Sequence, residues 1–256
     1  MPPIFQKNVM GAIDAAASTS KVLTVSPDVP CFIGAVALST AQRGRVTRLN
    51  ISGVDLMGTN ASFPMSALQR QSGLWECNFA GAPCYPGTAS FSMACTLDAN
   101  GQTSVRLYVD PIPPTLQAKI EASPNACPID QNFLLGLGEV TVPAATTGVL
   151  LTTTLKRDVR GWFRLVIDTA TVPAINDITF SSLQIAGNEQ NNQTASPISV
   201  LDFHADNTAK LGGMFYIEGK AGSPLTIILN NNSAGGIVVS AGFIRCYPGS
   251  GWTAQS

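Results

Sequence analysis

Leu49–Leu68, LNISGVDLMGTNASFPMSAL, decides the fold because the chain writes it a second time: Leu183–Phe203 reads LQIAGNEQNNQTASPISVLDF. Both open on an apolar residue, a polar one, Ile, a small residue and Gly. Both then cross a polar loop to a Pro and a Ser-containing apolar run. Leu49 and Leu183, Ile51 and Ile185, and Gly53 and Gly187 are each 134 positions apart, and Pro64 and Pro197 are 133 apart. Downstream, TASFSMACTLDANGQTSVRLYVDPIP (Thr88–Pro113) aligns with GSPLTIILNNNSAGGIVVSAGFIRCYP (Gly222–Pro248) at the same offset. A period of about 130 residues is too long for a solenoid and fits two copies of one domain.

Outward from these stretches the chain is written in short β-branched segments of period two, separated by turn residues. In the first half they are Val22–Val25, Phe32–Leu38, Arg45–Ile51, Phe63–Leu68, Ala89–Leu97 and Thr103–Val109. The last two flank Asp98-Ala-Asn-Gly101 and read as a hairpin. Eight further segments between Gly138 and Arg245 repeat the style. Some fifteen strands at this spacing predict a sandwich or barrel class. Long loops inside each half and a tight turn near its end favour jelly rolls over an immunoglobulin sandwich. Five prolines between Pro111 and Pro128 break any ladder and mark the junction, with one or two helical turns at Leu116–Ala122. Before Ser20, Phe5, Val9 and Ile13 fall four apart, which predicts a short amphipathic helix over Ile4–Ala17.

Charged residues are 12% of 256 and the formal net charge is −1, against about 25% charged in average soluble domains. The balance gives no argument for a nucleic-acid partner, which normally demands a basic stripe. An uncharged surface suits a subunit packed among copies of itself. Six cysteines show no C-x-x-C spacing, and the opening MPPIFQKN has no secretory pattern, so reduced thiols are expected. No run of about 18 apolar residues is present to form a membrane span.

One constellation invites chemistry, Asp202-Phe-His204-Ala-Asp206. On a strand its three polar residues share a face, as in iron sites of jelly-roll enzymes, but His204 is the chain's single histidine. Three residues on one extended strand also spread over about 13 Å, too far for one ion. No catalytic, cofactor-binding or metal residue is therefore assigned. No cofactor is expected, although a structural calcium held by carboxylates and carbonyls is compatible with the composition. Arg43, Arg45 and Arg48, and Lys156, Arg157, Arg160 and Arg164, form the two basic clusters. They read as ion-pair donors or solvated loops, and Arg45 and Arg48 fall on opposite faces of a regular strand.

A duplicated eight-stranded unit with a proline-rich link and a short N-terminal helix resembles the double jelly-roll major capsid proteins, above all those of tailless, membrane-containing icosahedral bacteriophages. The resemblance implies an all-β fold of two tandem eight-stranded jelly rolls with a short N-terminal helix. The expected segments are an amphipathic arm over 1–19, jelly roll 1 over 20–111, a linker over 112–131 and jelly roll 2 over 132–256. It implies a non-enzymatic structural protein of the virion, made in the host cytoplasm. Its partners would be itself, as a pseudo-hexagonal homotrimer and then a capsid lattice, with an internal membrane and minor capsid or penton proteins. Phe5, Val9 and Ile13 would face the membrane or a neighbour. The rival reading is a tandem β-sandwich that binds a receptor or carbohydrate, as a spike or fibre module does, through aromatics such as Trp75, Tyr85 and Trp252.

Overall fold

The computed structural model describes residues 7–40, 42–68, 78–87, 90–122, 131–171, 173–174, 176–190, 197–204 and 214–245. The chain divides into two compact units. The first comprises Met1–Leu56, Leu68–Phe133 and Tyr247–Ser256; the second comprises Met57–Ala67 and Leu134–Cys246.

The first unit holds β1 (Lys7–Ala15), β2 (Ser20–Val25), β3 (Cys31–Thr40), β4 (Gly44–Ile51) and β5 (Val54–Asp55). After β6 (Phe63–Pro64), which belongs to the second unit, come β7 (Asn78–Cys84), β8 (Phe91–Leu97) and β9 (Gly101–Pro111). One sheet has the order β1-β9-β3-β7 and the other β2-β8-β4-β5, all antiparallel. The first of eight strands thus pairs the last, the second pairs the seventh, and so on inward. That is the order of a jelly roll.

The second unit holds β10 (Leu134–Val142), β11 (Thr146–Thr154), β12 (Val159–Thr169), β13 (Ile178–Ile185) and β14 (Asn188–Glu189). It continues through β15 (Ile198–Ser199), β16 (Met214–Gly219), β17 (Pro224–Asn231) and β18 (Ile237–Arg245). Its sheets run β10-β18-β12-β16 and β11-β17-β13-β14, with β15 beside β13. Strand for strand this is the same roll.

The copies agree in detail as well. Ser52 and Gly53 have φ of 49° and 79°, and Ala186 and Gly187 have 52° and 80°. Two successive left-handed residues make the two-residue turn whose twist matches its flanking strands. It pairs Ile51 with Val54 and Ile185 with Asn188. A β-bulge between Val46 and Arg48 in β4 recurs 134 residues later between Phe180 and Ser182 in β13. Both Pro–Ser runs become a two-residue strand followed by a 3-10 turn, Met65–Leu68 and Val200–Phe203.

Alternation builds each core. In β8 buried and half-buried residues alternate without exception, with Phe91, Met93, Cys95 and Leu97 inside. In the second unit Leu225, Ile227 and Leu229 of β17 meet Leu183, Ile185, Phe163 and Phe243 in one buried cluster. Each such side chain contributes roughly 1.5–3 kcal/mol by leaving water.

Three expectations need correction. Where an amphipathic helix is expected over Ile4–Ala17, Lys7–Ala15 is a strand: β1 pairs β9 over nine positions, from Lys7↔Val109 to Ala15↔Gly101. A spacing of four is a multiple of two, so Val9 and Ile13 share a strand face as readily as a helix face. Gly11, inside the segment, disfavours the helix by about 1 kcal/mol. The α-helix described is instead α1 (Pro114–Ala122), which starts on a Pro and buries Ile120. Asp98–Gly101 is not a hairpin turn within a sheet, because β8 and β9 lie in opposite sheets. Finally, Phe63–Leu68 is not a continuous strand.

Met57–Ala67 lies among first-half strands in sequence yet packs into the second unit. Gly58 N–H donates to Leu134 O at 2.8 Å, Lys156 N–H to Gly58 O at 2.7 Å, and Gly138 N–H to Ser62 O at 3.0 Å. Thr59 Oγ1 donates to Gly136 O at 2.7 Å. Phe63 is fully buried. A Cβ on Gly242 would stand 2.4 Å from its ring, and one on Gly136 would stand 2.3 Å from Ser62 O. The strap therefore lies on a sheet surface stripped of side chains to receive it.

Gly242→Ala should destabilise the protein by about 1–3 kcal/mol through overpacking, and Phe63→Ala by about 3–5 kcal/mol. Combined, the two substitutions should cost less than their sum in urea denaturation, because the small side chain vacates the space the new methyl needs. Removal of Lys7–Ala15 should expose the ladder of β9 and open the first unit. Buried Cys31, Cys84 and Cys95 should then react faster with a thiol label than in the intact chain; an unchanged rate would mean β1 is dispensable to the roll.

Candidate interaction surfaces

The Asp202–Asp206 constellation does not form on a strand. Asp202 lies in the 3-10 turn Val200–Phe203, which is capped by Ser199 Oγ accepting from Leu201 N–H. His204 closes the turn and is buried, with Nε2 at 2.9 Å from Thr169 Oγ1 and a parallel bridge to Ile167. Phe203 beside it stacks between Phe180 and Phe215, at 5.4 and 6.3 Å between ring centroids. The single histidine is built into the packing of this corner. Asp206 lies outside the described residues. Among the described residues no three His, Cys, Asp and Glu side chains are grouped to hold a metal ion.

The basic clusters resolve into local contacts. Arg43 and Arg45 both reach Asp98, at 2.8 and 2.9 Å, tying the β8–β9 turn to β4. The bulge after Val46 overturns the parity argument for Arg48: register partners Thr96 for Arg45 and Ala94 for Arg48 put both arginines on one face. Arg157 donates to Met57 O at 3.3 Å, anchoring the strap. Near the start of β12, Lys220 Nζ lies 2.8 Å from Asp158. The Lys220 hydrogen bond, then that from Ala221 N–H, holds the Asp158 carboxyl below its ordinary range. Its contribution is therefore present at neutral pH and is lost as pH falls through the depressed value.

The second unit carries an exposed ladder on β12 and the edge strand β16. Arg160 faces Glu218, Trp162 faces Tyr216 and Arg164 faces Met214. Trp162 is 47% exposed, Met214 51% and Tyr216 38%. The two rings meet edge to face at 5.4 Å, and Arg160 Nε donates to Tyr216 Oη at 2.7 Å. Edge-to-face contact and an oriented guanidinium hold the rings in place on the surface. The signal for this patch was in the sequence: Trp162 has the parity of Arg160 and Arg164, the polar face of its strand.

Of the aromatics named for the binding reading, Trp75 and Trp252 lie outside the described residues. Tyr85 is half-buried, its N–H donating to Ser52 Oγ at 3.3 Å. Among the arm residues, Phe5 lies outside the described residues, Val9 pairs Leu107, and half-buried Ile13 pairs Thr103.

Models of known protein families do not match the sequence, and neither does any curated protein sequence. Among solved structures the chain is similar to the crystal structure of the STIV MCP, a viral major capsid protein. The identity is 12% and the TM-score 0.40, over 97% of this chain and 99% of that one.

The corner around His204 is testable. Thr169→Val keeps the shape but removes the hydroxyl, and should cost about 1–3 kcal/mol by leaving a buried ring nitrogen short of a partner. Denaturation in urea measures it; an unchanged midpoint would show that the Thr169 contact does not hold the ring.

Proposed function

We propose that this chain is a non-enzymatic structural subunit of a viral shell, a major capsid protein. The observation that carries the reading is the repetition itself: two eight-stranded rolls of identical strand order, with the same left-handed turn and the same bulge at an offset of 134. Two like domains per chain turn a threefold oligomer into a six-lobed tile, and cyclic closure is the common outcome for identical subunits. A surface with few charges suits broad repeated contacts. In this reading three copies form a pseudo-hexagonal trimer. Trimers pack into the icosahedral virion of a tailless bacteriophage, over an internal membrane and beside minor capsid and penton proteins. The fold needs no cofactor for this role and no direct contact with nucleic acid.

A second reading, a tandem β-sandwich that binds a receptor or carbohydrate, is favoured by the exposed Trp162–Tyr216 pair. Light scattering on the purified full chain, followed by electron microscopy at raised concentration, separates them. The capsid reading expects the mass of three chains and then sheets or closed shells of six-lobed tiles. A monomer at all concentrations, with glycan binding that Trp162→Ala abolishes, would replace it with the binding module.

A further inference from the structure

We infer that Cys31 and Cys84 form a dithiol modification site that disulfide-class oxidants convert into a cross-strand disulfide, stapling the edge strand β7 to β3. Cys31 begins β3, Cys84 ends β7, and the two stand directly opposite in the ladder. Cross-strand partners in an antiparallel pair have Cα atoms about 4.5–5.5 Å apart, inside the span of about 4.4–6.8 Å that a disulfide bridges. Both thiols are free and fully buried. Cys84 S–H donates to Ser90 O at 3.1 Å, and Cys31 is hydrogen-bonded to Cys84 in turn. That contact with Cys31, and then burial, pushes the Cys84 thiol above its ordinary range. Cys95 differs: its ladder partners are Lys21 and Val46, neither of which carries sulfur.

Burial keeps the pair unreactive while the sheet is closed. The pair nevertheless sits where opening is easiest, at the end of the outermost strand of β1-β9-β3-β7. When the end of β7 lifts, Cys84 leaves with it and deprotonates to solvent. Its thiolate attacks one sulfur of the oxidant, forming a mixed disulfide and expelling a thiolate that takes up a proton. Reclosing brings Cys31 back opposite. Cys31, deprotonated in turn, attacks the Cys84 sulfur and releases the second thiol. Two electrons and two protons pass from the pair to the oxidant. The site is independent of the capsid reading, because it rests on β3 and β7 alone.

The test is to incubate the full chain with excess oxidised glutathione, in buffer and in urea below the unfolding transition. Free thiols are then alkylated in denaturant and the peptides mapped by mass. The expected product is one linked pair of peptides, Cys31 with Cys84, lighter by two hydrogens than the reduced pair. It should form roughly tenfold faster in sub-transition urea, which populates the opened strand. Closing a loop of this length should raise Tm on the order of 10 °C, reversed by a dithiol reductant. Cys31→Ser should trap glutathione on Cys84, whereas Cys84→Ser should leave Cys31 unmodified. Alkylation of both residues after oxidation, or linkage of either to another cysteine, overturns the proposal. Should the serine variants fail to fold, the unmodified chain alone decides it.

Discussion

In each unit the first strand pairs with the last, and the rest of the roll depends on that closure. Nine partners join β1 to β9 across some ninety residues of intervening chain, and β10 joins β18 in the same way. Each pairing completes a four-stranded sheet whose inner face is then presented to the other sheet. Without it the last strand offers an open ladder and the core loses a wall. The pairing is also the most non-local in the unit. Its loop entropy must be met before any contact rewards it, which places these rolls among the slower topologies to fold.

The strap Met57–Ala67 adds a second dependence. Two buried glycines, a buried Phe and a series of backbone hydrogen bonds commit residues from among the first-half strands to the second unit. Sequence order and compact unit therefore do not coincide over this stretch. The strap also accounts for Thr59, which is buried, polar and hydrogen-bonded to Gly136 O where a loop residue would ordinarily meet water.

The repeat was legible because both copies keep the residues their backbones require. Gly53 and Gly187 hold a left-handed φ, and Pro64, inside one short strand, and Pro197, directly before the other, each lead into a 3-10 turn. The strand at Lys7–Ala15 was not legible, since its spacing of four satisfies two periodicities and only β9, far along the chain, decides between them. The face shared by Arg45 and Arg48 was hidden for a different reason. A bulge inserts one residue, and parity counting assumes none. The strap was invisible because its seat consists of glycines, whose role is a missing side chain, and the dithiol because register alone brings Cys31 opposite Cys84.

The seat for Phe63 also gives the duplication a polarity. The positions of the first unit that correspond to Gly136 and Gly242, by strand face and by the offset of 134 in the last strand, are Asn8 and Tyr108. Tyr108 is buried and carries a ring of its own where Gly242 leaves room for that of Phe63. A chain of two first halves would therefore own a plug without a socket, and a chain of two second halves would own sockets without that plug. Differing at a pair of glycines, the halves are not interchangeable.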